Sequence, residues 1–71
     1  MEQPTKNYQP HELRVIEEKE TLDKKILDLQ KFIFDNPIYK TLDIRIQNLQ
    51  RNQLDAMERY SNILGLRIEL F

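Results

Sequence analysis

Two stretches of this chain repeat apolar side chains every seven residues, and Asp35-Asn36-Pro37 stands between them. A seven-residue repeat returns side chains to nearly the same face of an α-helix. In the first stretch Val15, Leu22 and Leu29 form one row, and Ile26 and Ile33 form a second. Leu13, Ile16, Leu27 and Phe32 widen the stripe, while Glu17, Lys24 and Lys31 mark the opposite face. This predicts one strong amphipathic helix over roughly 10–35. Pro10 suits a first helical turn, where its missing N–H costs nothing, and Glu12 places negative charge at the helix start.

Asn36-Pro37 ends that helix, because the residue before proline resists the helical region. Asn36 can also cap a new start. A second helix is expected from about 42 to 71, with the break over 36–41. Its apolar set is Leu42, Ile46, Leu49, Leu54, Ala56, Met57, Ile63, Leu64, Ile68 and Phe71. At ~1.5 Å per residue the two helices span ~39 and ~45 Å, which suits an antiparallel hairpin. The expected fold class is therefore all-α: a two-helix hairpin (10–71) with a polar N-terminal arm (1–9), assembling as a homo-oligomeric bundle.

Self-association follows from size. Seventy-one residues bury a thin core, and small domains are usually rescued by disulfides, metals or oligomers. The chain has no cysteine and a single histidine, His11, so neither a disulfide nor a thiolate or histidine-cluster metal site can be built within it. Leu66, Ile68, Leu70 and Phe71 are too apolar for a solvated tail, and another copy is the partner at hand. Gly65 interrupts this end at a cost of ~1 kcal/mol against alanine. It marks either a frayed last turn or a close approach of another helix or a ligand.

Eleven basic and twelve acidic residues balance to a net charge of -1, which argues against general nucleic-acid binding. A small phosphate-bearing ligand remains open, since it needs only two or three cations. No apolar run is long enough to span a membrane. The start of the chain does not resemble a signal peptide, so the expected location is the cytoplasm. No phosphate loop, nucleophile–histidine pair or metal-ligand cluster is present, and no enzyme activity or cofactor is expected.

The second half of the chain carries an unusual row seven apart: Tyr39, Ile46, Gln53, Tyr60 and Arg67. One reading is registry, in which polar groups in an apolar seam fix alignment or oligomer state. The other is recognition, with tyrosine stacking on a base, glutamine reading a polar edge and arginine holding phosphate. On the first helix Arg14, Glu18 and Lys25 share one side. Their stems can cover the core edge, or Arg14 and Lys25 can bring positive charge to an intermolecular cleft. In the arm, Tyr8 can staple the helix start or act as a lid. His11 is either a solvated first-turn residue or a phosphate donor near the helix N-terminus. The candidate ligand-binding residues are thus Tyr8, His11, Arg14, Lys25, Gln53, Tyr60 and Arg67.

The stretches R-V-I-E-E-K-E-T-L-D-K-K-I-L-D-L-Q-K-F-I (14–33) and Q-L-D-A-M-E-R-Y-S-N-I-L-G-L-R-I (53–68) resemble a family of small helical proteins of tailed bacteriophages and prophages. The spacing of Met57, Tyr60, Leu64 and Arg67 carries most of that likeness. The layout is also similar to the phage anti-CBASS sponges, small helical oligomers that sequester cyclic oligonucleotide immune signals. Tyr8, Pro10 and His11 echo the arm of that family in altered order. Leu54, Ala56, Met57 and Tyr60 echo its final helix with a one-residue shift between leucine and alanine. What the resemblance implies is a phage counter-defence protein in the bacterial host cytoplasm. It would bind a nucleotide-type second messenger between protomers, without catalysis. The alternatives are a helical module that docks on and inhibits a host protein, and a structural assembly factor.

Overall fold

The computed structural model describes residues 7–71. The arm's first six positions therefore lie outside the described residues. Two long helices, α1 (Pro10–Asp35) and α2 (Ile44–Glu69), pack against each other as a hairpin, joined by a 3-10 turn at Pro37–Thr41. The molecule measures 48 × 23 × 15 Å, one rod beside another.

Local chemistry explains each boundary. The Gln9 backbone N–H donates to Glu12 Oε1 at 2.7 Å, so the acidic residue of the first turn reaches back to the cap. Pro10 follows as the first helical residue. At the other end Asn36 is extended, as its position before proline requires. Its side chain accepts from the Ile38 N–H at 2.9 Å and so caps the 3-10 turn. α2 opens two residues beyond the expected start, because Asp43 takes the cap. Asp43 Oδ1 accepts from the Arg45 N–H at 2.8 Å, and the carboxylate also holds the Arg45 guanidinium at 2.7 Å. That guanidinium keeps the Asp43 carboxyl below its ordinary range.

The core is a single seam. α1 contributes Val15, Leu22, Ile26 and Ile33, and α2 contributes Leu54 and Leu64. Leu29, Phe32, Met57, Ile68 and Phe71 pack around them. Leu64 has no exposed surface at all. Tyr39 closes the turn end. It is 4% exposed, meets Phe32 edge-to-face at 6.1 Å between ring centroids, and donates its hydroxyl to the Gln47 carbonyl at 3.0 Å. The expected row from Tyr39 to Arg67 is therefore broken at its first member, which belongs to the turn.

Several apolar positions expected inside are exposed. Leu13 and Leu27 on α1 lie too far round the helix to reach the seam, and so do Ile46, Leu49 and Ile63 on α2. One neighbouring helix covers only one stripe of each rod. At the C-terminal end Ile68 and Phe71 are half-buried in the hairpin, whereas Leu66 and Leu70 are exposed. Gly65 sits within α2, which continues as helix to Glu69, so the last turn is not frayed there. What approaches it is the Lys19 side chain. A Cβ at Gly65 would stand 3.4 Å from Lys19 Cε.

Candidate functional site

The heptad rows that meet in the seam decide what is left for the two flanks. On α2 the seam rows are Gln47, Leu54, Ser61, Ile68 and Gln50, Met57, Leu64, Phe71, each set seven apart and each partly or fully buried. The row Ile46, Gln53, Tyr60, Arg67 is exposed throughout and runs along one flank of the hairpin. It therefore does not set registry inside the hairpin.

Registry is set on the other flank. Lys19 occupies the same heptad row of α1 as Ile26 and Ile33. Its ammonium donates to Ser61 Oγ at 2.8 Å and to Asp23 Oδ2 at 3.0 Å, and the buried Ser61 hydroxyl donates to Asp23 Oδ1. Ser61's hydrogen bond, and then Lys19's, hold the Asp23 carboxyl below its ordinary value. Gln30 adds a cross-helix bond to Glu58 at 3.2 Å. These contacts fix the sliding of one rod past the other. Sequence reasoning missed Lys19, Asp23 and Ser61. The available signal was a lysine in step with two buried isoleucines, opposite a serine in step with Leu54 and Ile68.

Two open clefts run along the flank that carries Gln53 and Tyr60. The first is about 440 Å³ and is lined by Arg14, Glu17, Glu18, Leu22, Lys25 and Tyr60. The second is about 500 Å³ and is lined by Lys25, Asp28, Phe32, Gln50, Gln53 and Met57. Lys25 lines both, so the two clefts adjoin there along one flank, a discontinuous trough. Arg14 and Lys25 stand about 16 Å apart along the α1 axis, with Tyr60 (42% exposed) facing them from α2. Of the seven candidates, this trough gathers Arg14, Lys25, Gln53 and Tyr60. Tyr8, His11 and Arg67 lie outside its walls. Tyr8 packs edge-to-face on Phe71 with centroids 6.3 Å apart, which ties the start of α1 to the end of the chain. His11 and Arg67 are exposed.

One further feature of the trough was not anticipated. Gln50 Oε1 is buried and has no hydrogen-bond partner. An orphaned amide oxygen costs free energy unless a donor reaches it. It sits in the wall that also holds Gln53 and Lys25.

The charges in the first cleft cancel, two cations against the carboxylates of Glu17 and Glu18. Its size falls in the usual range for small-molecule pockets, about 300–1,000 Å³. It is open along one side, so the hairpin alone cannot enclose a ligand. Among the described residues no cluster of histidine and acidic side chains could hold a metal ion. Among the same residues no helix is long and apolar enough to cross a membrane.

Fold and flank together define a class: a small α-helical hairpin with a mixed polar and aromatic trough along one side. The chain belongs to the Sequestin family, whose model matches residues 9–70 and so covers both helices and the turn. No curated protein and no solved structure gives a significant match.

Proposed function

We propose that this protein acts by stoichiometric sequestration, binding a nucleotide-type second messenger in the trough without chemical turnover. The family name supports a sequestering role. The observation that carries the choice of ligand is the convergence of Arg14, Lys25 and Tyr60 on one cleft. An aromatic face takes a base, and cations on either side take phosphate oxygens. Gln53 suits the donor and acceptor edge of a base. The balanced charge of the cleft favours phosphodiesters, with one negative charge per phosphate, over terminal polyphosphates. That pattern is the chemistry of a cyclic nucleotide signal. Read this way, the protein is a phage counter-defence factor working in the host cytoplasm as a homo-oligomer.

Sequestration by mass action demands tight binding. A nanomolar Kd corresponds to about -12 kcal/mol, which requires several groups to close on the ligand at once. The test is native mass spectrometry of protein purified from cells in which a nucleotide immune signal is being made. It is combined with calorimetric titration of cyclic dinucleotides into wild type, Tyr60→Ala and Arg14→Ala. Wild type should carry an added small-molecule mass, and each variant should lose binding at least tenfold with unchanged helicity. An empty wild-type protein, or variants that bind as wild type does, would overturn the reading.

A further inference from the structure

One heptad row on the outer face of α2 is apolar and symmetric about one residue. Leu49 and Ile63 stand seven positions either side of Ala56. Both large side chains are exposed, Leu49 at 66% and Ile63 at 56%. Leu70 extends the same row, seven beyond Ile63. An isologous contact requires a patch that complements itself when turned through a two-fold axis. A row with matched aliphatics at equal distances from a small central residue meets that requirement in an antiparallel pairing.

We propose that a second copy of this chain docks antiparallel on this face, with the two-fold axis beside Ala56. Ala56 lets the two helices approach closely, and the Leu49 side chain of each copy packs beside Ile63 of the other. The charges on one rim agree with that register. There Arg59 of each copy falls beside Asp55 of the other. Both residues are exposed, and neither joins an ion pair within the hairpin among the described residues. At the outer ends Arg67 meets Arg45 of the second copy, whose charge is already balanced by Asp43.

The pairing has a consequence for the trough. The row Ile46, Gln53, Tyr60, Arg67 lies between the outer apolar face and the hairpin seam. Turning the helix over brings Gln53 of one copy beside Tyr60 of the other on the rim facing both α1 helices. The two troughs then open into one crevice, with Tyr60, Gln53 and Arg67 from both copies on its floor. Arg14 and Lys25 from both copies stand on its walls. Using this crevice as the ligand site rests on the sequestration reading above. The pairing itself does not.

The chain has no cysteine, so a single introduced thiol reports the axis directly. With helix axes about 8–10 Å apart and each Cα about 2.3 Å off its axis, the two residues at position 56 come within about 3.5–5.5 Å. That range overlaps disulfide geometry. Ala56→Cys should convert to a covalent dimer under mild oxidation, while Glu20→Cys, on the far side of α1, should stay monomeric under denaturing electrophoresis. Ile63→Arg should halve the mass of the particle by light scattering with helicity unchanged, since that side chain is mostly solvent-facing within one hairpin. Failure of Ala56→Cys to cross-link faster than Glu20→Cys, or an Ile63→Arg protein of wild-type mass, overturns the pairing. Cyclic dinucleotide titration of the same samples separates the two readings. A cross-linked dimer that binds none upholds the pairing and sinks the sequestration reading. A wild-type protein that binds without cross-linking at position 56 does the reverse.

Discussion

Leu64→Ala tests the packing of the seam most directly. Leu64 is fully enclosed between α1 and its own helix neighbours, so its truncation removes buried methyl groups and leaves a cavity that two straight rods close poorly. Leucine-to-alanine changes at buried sites cost about 2–5 kcal/mol, and complete enclosure places this one near 3–4 kcal/mol. A chain of 71 residues has about 4–11 kcal/mol of total stability at ~0.05–0.15 kcal/mol per residue. One core truncation therefore consumes about a quarter of it or more. With a urea slope of about 1 kcal/mol per molar for a chain this small, the midpoint should fall by about 3 M. The assay is a urea titration followed by circular dichroism at 222 nm, at matched protein concentration. Leu27→Ala is the control, since Leu27 is half-exposed on the far flank of α1 and should cost under about 1 kcal/mol. Equal midpoint shifts for the two variants, or a Leu64→Ala loss below about 1 kcal/mol, would refute the proposed core.

Gly65→Ala should raise stability by about 0.5–1 kcal/mol, because alanine is the better helix former and the added Cβ meets only the flexible Lys19 stem at 3.4 Å. A lower urea midpoint would mean that the helix needs the gap. Ser61→Ala should change the acid response. Ser61 and Lys19 hold the folded Asp23 carboxyl below its ordinary value of 3.8, so the folded state takes up that proton less readily than the unfolded chain. The resulting stability is fully present above about pH 4 and is lost as pH falls through the lowered folded value. Melting profiles taken down to acid pH should show a shallower loss in Ser61→Ala than in wild type, and an identical slope would remove this network from the pH response.

The hairpin was legible because heptad rows and an Asn-Pro break are strong, local signals. Val15, Leu22, Ile26 and Ile33 were read as core and are core. The faces of α2 were harder to read, since that helix carries apolar residues on two sides. Periodicity alone ranks Leu49 and Ile63 with Leu54 and Leu64, although only the latter pair touches α1. The partner settles the matter, and polar residues in the seam hid it. Gln47 and Gln50 extend the buried rows past Leu54, and Ser61 interrupts them. Two of these polar groups are tied to chemistry across or along the seam, Ser61 to Lys19 and Gln47 to the carbonyl of Leu42 at 2.9 Å. A pattern reader counting aliphatics passes over such positions.

Part of the flank is legible for a different reason. Arg14, Lys25, Gln53 and Tyr60 stand out by side-chain chemistry and spacing, and the packing of the rods brings them to a single flank. Tyr8 is ambiguous because an aromatic residue before a helix serves equally as staple or lid, and the contact it makes is with Phe71 at the far end of the chain. The position of the flank then explains why a two-helix protein keeps an exposed polar row beside its apolar faces. A rod greasy on two sides cannot satisfy both with one neighbour, so its polar row is left at the boundary between the seam and the outer face. Any partner that covers the outer face must approach over that row. On the proposed pairing, desolvation of Tyr60 and Gln53 would be coupled to assembly, and a ligand wedged there would gain from both surfaces what a lone hairpin, open along its side, does not provide.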